Sequence, residues 1–97
     1  MDLGFFTMPI HPPGRSLTET LKEDREFAIL ADELGYVEGL FGEHITDAAE
    51  TITSGLIFIS WVLQETKNIR LGTGTVNMSN HHPAMVAAEV AMVDHMA

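Results

Sequence analysis

Two stretches hold residue types that could do chemistry. In Gly42-Glu43-His44 an imidazole follows a carboxylate, and a histidine so placed can act as general acid or base near neutral pH. The same histidine could equally be a loop residue satisfied by local hydrogen bonds. The second stretch, Ile69 to Pro83, carries Gly72-Thr73-Gly74 and then Thr75, Asn77, His81 and His82. Paired glycines remove side chains where another body must approach the backbone, or merely permit close helix packing or a bulge. Adjacent histidines in an extended segment point to different sides, so His81 and His82 are not expected to share a metal, and no metal site is assigned. One of them should cap the following helix or line a pocket, with the other exposed; His95, after Asp94, reads as structural or exposed. Glu43 and Asp47 are close in sequence, but nothing fixes their separation in space. No Gly-x-Ser-x-Gly elbow and no cysteine is present, so the common nucleophilic arrangements are missing. What remains is a site that positions a cofactor, with a histidine to move a proton.

The elements that must hold these residues read as alternating strands and helices. Leu3 to Met8 is an apolar, aromatic run with the pattern of a strand buried on both faces. His11-Pro12-Pro13-Gly14 is a loop, and Ser16-Leu17-Thr18-Glu19 offers a capping box for an amphipathic helix that Gly35 ends. Tyr36 to Phe41 reads as a second strand, in which Glu38 needs either a hydrogen-bonding partner or an exposed place at the far end of the sheet. Leu56 to Gln64 is apolar on nearly every face, which predicts a well-buried helix capped by Thr53 or Ser54 and running on to Lys67. A third strand over Ile69 to Thr75 and a last helix over Pro83 to Met96 follow. Strand, helix, strand, helix, strand, helix argues for an α/β architecture with parallel strands and right-handed crossovers. Six methionines suit adaptable packing better than a site.

Composition bounds the possibilities. The chain has 97 residues, 45% hydrophobic and 20% charged, enough for one small domain over residues 1–97. Five Lys and Arg against fourteen Asp and Glu give a formal charge of −9, which argues against a nucleic-acid partner. The few cations are scattered and no phosphate-binding Gly-x-x-x-x-Gly-Lys loop occurs, so any cofactor phosphate should be held elsewhere. The absence of cysteine suits a reducing cytosol, no apolar run reaches the length of a membrane span, and the expected location is cytoplasmic. The pattern of the last helix continues to Ala97 without a stop signal, which leads us to expect a fragment of something larger.

Taken together, Leu3-Gly-Phe-Phe6, Gly35-Tyr36 leading to Phe41-Gly-Glu-His44, Asn68-Ile-Arg-Leu-Gly-Thr-Gly-Thr75, His81-His-Pro83 and Val93-Asp-His-Met96 resemble the opening of the bacterial luciferase-like flavin monooxygenases. His11-Pro12-Pro13-Gly14 resembles the limonene-monooxygenase-like branch. Each piece is weak alone; the set, in order and with similar spacing, is specific. The resemblance implies the first three strand–helix units of a TIM (β/α)8 barrel. It implies a reaction in which reduced flavin (FMN) and dioxygen oxidise a small organic substrate, with a flavin reductase as a possible partner. His44 matches the family's active-site histidine, Gly74-Thr75 the place where relatives often carry a non-proline cis peptide behind the flavin ring, and Asn77 continues into the cofactor region. A deazaflavin-dependent oxidoreductase of the same fold is the alternative. The family's later phosphate-binding strands have no counterpart here, so the chain alone is expected to be inactive. Its open sheet edges favour a homo-oligomer or a companion chain, and an inactive barrel piece that self-associates is the reading from another class.

Overall fold

The computed structural model describes residues 1–97. Strand β1 (Gly4–Thr7) leads into helix α1 (Leu17–Glu33), followed by β2 (Glu38–Phe41), α2 (Gly55–Val62), β3 (Arg70–Thr73), a short 3-10 turn (Met78–Asn80) and α3 (Pro83–Met96). The strands form one parallel sheet in the order β1-β2-β3. Phe6, Leu40 and Gly72 share one row across it, and Thr7, Phe41 and Thr73 the next. Strand order following chain order, with all connections winding one way, is the arrangement that closes into a barrel; a doubly wound sheet reverses direction partway.

Local chemistry sets the boundaries. The Ser16 hydroxyl accepts the Glu19 N–H at 3.5 Å, opening α1, though the Glu19 carboxylate makes no return bond, so only half of the capping box forms. Gly35 ends α1 at φ 86°, a left-handed conformation costly for a residue with a Cβ. Of the two expected caps for α2 it is Ser54 that serves, accepting the Ile57 N–H at 3.3 Å. That helix stops at Val62 instead of running on to Lys67. Beyond its end, the Asp32 carboxylate, at the end of α1, takes the N–H groups of Lys67, Asn68 and Ile69 at 2.7, 2.9 and 2.7 Å. Lys67, its N–H committed to Asp32, is thereby kept out of the helix. Burial alone would raise the Asp32 carboxyl, but the three N–H bonds outweigh it and hold it below its ordinary value.

The core lies between the sheet and α1 and α2. Ala28, Phe41, Ile52, Phe58, Ile59 and Val62 are buried together, with Phe5, Leu21, Leu71 and Val93 packed against them. Phe41 stands edge-on between Phe5 and Phe58, with ring centroids 5.5 and 4.9 Å away. Such pairs add to the roughly 1.5–3 kcal/mol that burying a phenyl ring itself contributes.

Two expectations about burial are corrected. Strand β1 is covered on its helix side only: Phe5 packs on Phe27 and Phe41, while Phe6, on the other face, is 55% exposed. Helix α2 likewise buries one side through Phe58, Ile59 and Val62 and leaves Ile57 74% exposed. Apolar composition marks faces able to be buried, and in this chain nothing covers the second of them. Glu38 takes the second option open to it, exposed at the amino end of β2.

Candidate active site

The residues with chemistry to offer gather at the carboxyl ends of β2 and β3. Glu43 and His44, just past the end of β2, point to opposite sides. Glu43 goes into the protein, where it is 4% exposed. Its Oε2 accepts the Gly55 N–H at 2.9 Å, at the start of α2, and its Oε1 accepts the Asn77 N–H at 2.8 Å and faces His81 Nε2 at 3.1 Å. The Glu43 carbonyl also accepts the Asn77 side-chain amide at 2.8 Å. Burial pushes this carboxyl up, and the donors from Asn77, Gly55 and His81 more than reverse that, holding it below the usual carboxylate range. A carboxylate at a helix N-terminus is further favoured by the exposed N–H groups there.

His44 faces outward, into an open, polar cleft of about 330 Å³ lined by His44, Ile45, Thr46, Asp47, Asn77 and Asn80. Its backbone is fixed by the His44 N–H donating to Ile52 O at 2.9 Å. Its ring Nδ1 lies against the Glu50 carboxylate. Two grooves of about 400 and 430 Å³ lie in the helical layer beside α2 and α3. They are walled mainly by apolar side chains such as Leu56, Ile59, Met92 and Val93 and contain neither His44 nor Asn77. The cleft at the strand ends therefore has the better claim to chemistry, since ligands of parallel sheets sit there.

Of the residues singled out from the sequence, His44 and Asn77 share this cleft. With its amide committed to Glu43, Asn77 keeps Oδ1 as an acceptor. Gly74 and Thr75 carry β3 towards it through a cis peptide bond, with Gly74 N–H donating to Phe41 O at 2.7 Å. A Cβ on Gly74 would come within 2.8 Å of the Phe6 ring and 3.3 Å of Leu40 Cβ. Phe6 and Leu40 thus fill the space beside Gly74, which lies outside the cleft lining together with Thr75. No Lys or Arg lines the cleft; Arg15 is paired with Glu23, and Arg25 with Glu65. The cleft therefore offers no cation to a phosphate.

His82 caps α3, its Nδ1 accepting the Ala84 N–H at 3.2 Å, while half-buried His81 faces Glu43. Glu43 and Asp47 are not brought together as a pair: the Asp47 carboxylate instead accepts the N–H groups of Ala49 and Glu50 at 2.7 and 3.1 Å. No cluster of three or more His, Asp or Glu could hold a metal ion, and no helix is long and apolar enough to cross a membrane. Sequence reasoning missed Glu50. Its position six residues after His44 carries no periodic signal, and only the folded loop returns it to the imidazole.

Fold and site together define a class: the opening units of a TIM barrel, with polar groups on the rim formed by the carboxyl ends of the strands. The family model of the luciferase-like monooxygenases matches residues 1–97. The chain is 40% identical over 96 residues to 4-hydroxyprotoasukamycin monooxygenase of Streptomyces nodosus subsp. asukaensis, covering 99% of this chain and 26% of that protein. It is 32% identical over 97 residues to limonene 1,2-monooxygenase of Rhodococcus erythropolis, covering all of this chain and 25% of that protein. Among solved structures, the oxygenating constituent of 3,6-diketocamphane monooxygenase from Pseudomonas putida, a type II Baeyer-Villiger monooxygenase in complex with FMN, superposes with a TM-score of 0.93. That match has 26% identity and covers 99% of this chain and 26% of that one. The chain belongs to the luciferase-like monooxygenase family. It spans about a quarter of the length of these relatives.

Proposed function

We propose that the whole protein is a flavin-dependent monooxygenase that uses reduced FMN and dioxygen to oxidise a small organic molecule. The observation that carries this is the cleft shared by His44 and Asn77 at the ends of two adjacent barrel strands, in a chain whose family is the luciferase-like monooxygenases. Reduced flavin, when bound, supplies the electrons and activates the oxygen. The chain's own residues hold and protonate. Gly74 and Thr75 offer a backbone surface for the ring, and Asn77 offers an acceptor at its edge. His44, facing the cleft, holds or moves a proton at Nε2, a task suited to an imidazole near neutral pH. The FMN phosphate is bound by residues outside this segment, in keeping with a cleft that no cation lines.

Several further readings accompany this one. The reductant reaches the site as free reduced flavin from a reductase, and the enzyme works in the cytoplasm as a homo-oligomer or with a companion chain. The 97-residue chain alone is inactive and self-associates, because β1 and β3 each leave one edge of the sheet unpaired. The test is to supply the full-length enzyme with FMN, a flavin reductase and NADH, and to measure oxygenated product from a panel of terpenes, cyclic ketones and aldehydes. Product formed with FMN supports the reading. Turnover that requires a deazaflavin coenzyme and ignores oxygen would replace it with a dehydrogenase or reductase of the same fold.

A further inference from the structure

We infer that Glu50 is the positioning residue of His44, fixing both the direction of the imidazole and which of its nitrogens carries the proton. The inference rests on the reading of His44 as the proton-transfer group. Three observations carry it. The Glu50 carboxylate lies against Nδ1 of His44, and its side chain is 16% exposed where that of His44 is 37% exposed. Glu50 Oε2 is shielded from solvent and no hydrogen bond satisfies it, its contact with the His44 ring being an ion-pair contact. A carboxylate oxygen hidden from water is costly unless a donor or cation offsets it, and the imidazole in contact with it is the group able to do so. Finally, the loop is built to deliver this carboxylate. Asp47 folds the chain back by accepting the Ala49 and Glu50 N–H groups, the His11 N–H holds Ala49 O at 2.9 Å, and Ile10 forms an antiparallel bridge with Glu50. Glu50 is therefore tied to the end of β1 while its side chain reaches the end of β2.

The chemical consequence follows from acceptor-only carboxylate chemistry. Glu50 can only accept, so Nδ1 must be the donor, and in the neutral ring Nε2 is then left as the unprotonated nitrogen. That nitrogen is at the opposite end of the ring from Glu50, where it can take a proton from a group in the cleft. No hydrogen bond from another side chain to the His44 ring selects this tautomer or direction.

The test is long-range proton–nitrogen correlation NMR of the full-length protein labelled with nitrogen-15 at histidine, in mildly alkaline buffer. The wild type should show His44 with a protonated Nδ1 and a bare Nε2. Glu50→Ala should shift it towards the Nε2–H form and lower kcat by about 10-fold or more, as a misdirected tautomer does, with FMN affinity unchanged. Glu50→Gln, which keeps an acceptor, should restore the Nδ1–H form and most of kcat. An Nε2–H tautomer in the wild type overturns the inference whether or not either variant folds, as does an imidazole pattern unaffected by Glu50→Ala. If the Nδ1–H pattern depends on Glu50 but His44→Ala leaves turnover intact, the positioning stands and the proton-transfer reading of His44 falls.

Discussion

Glu43 and Asn77 grip each other twice: Glu43 Oε1 accepts the Asn77 N–H, and the Glu43 carbonyl accepts the Asn77 side-chain amide, both at 2.8 Å. This pairing ties the end of β2 to the segment after β3 and fixes one wall of the cleft. Through Gly55 and His81 the same carboxylate also reaches α2 and the approach to α3.

Removing that carboxylate should loosen the rim. Glu43→Ala strands the Gly55 and Asn77 N–H groups and should cost the full-length protein about 2–4 kcal/mol, read as a lower urea midpoint. Glu43→Gln should cost less, because one oxygen still accepts while its amide faces a donor. Equal stability of Glu43→Ala and wild type would mean that water replaces these bonds freely.

Acid should undo the same anchor. Glu43 and Asp32 are both held below their ordinary values of 4.5 and 3.8. Their contribution to stability is therefore complete above those values and lost as pH falls through the lower, folded-state ones. Buried Asp24 moves the other way: burial raises its carboxyl despite the opposing bond from His11 at 2.9 Å. Protonation of Asp24 thus comes first and does not itself unfold the chain. Urea midpoints should change little between neutrality and about pH 5 and fall below that, less steeply in Glu43→Gln with Asp32→Asn. A drop of equal steepness in that double variant would remove these two carboxyls from the account.

Packing on the helix side of the sheet leaves no room for another carbon at Gly39. A Cβ there would come within 2.5 Å of Phe5 Cζ and 2.8 Å of Cε1, and the Phe5 ring is held by Phe27, Tyr36 and Phe41. Gly39→Ala should displace that ring at a cost of about 1–3 kcal/mol, measured as a lower Tm. An unchanged Tm would mean that the ring turns aside without loss.

How far these features could be read from residues alone differs between local and distant causes. The order of six elements, the caps at Ser16 and Ser54 and the stop at Gly35 were legible because each depends on a few neighbouring residues. Placing His44 and Asn77 near one another required only that they end adjacent parallel strands. The early end of α2 was not legible, nor was the capture by Asp32 of donors 35 to 37 residues away. Exposure of Phe6 and Ile57 could not be read either, because an apolar face announces what it can pack against and not whether a neighbour is present. Glu50 was hidden for a third reason. Its reach to His44 is set by the Asp47 turn and the bridge to Ile10, and neither leaves a pattern in the chain.

As proposed, His44 transfers a proton and does not hold the flavin. In the full-length enzyme, kcat and the FMN Kd should be measured for the wild type and His44→Ala. The account predicts that kcat falls by about 100-fold or more, the range expected for losing a general acid or base, while Kd changes by no more than about 2-fold, a few tenths of a kcal/mol. A kcat that survives, or equal losses in kcat and FMN affinity, would contradict it and make His44 a bystander or a binding residue.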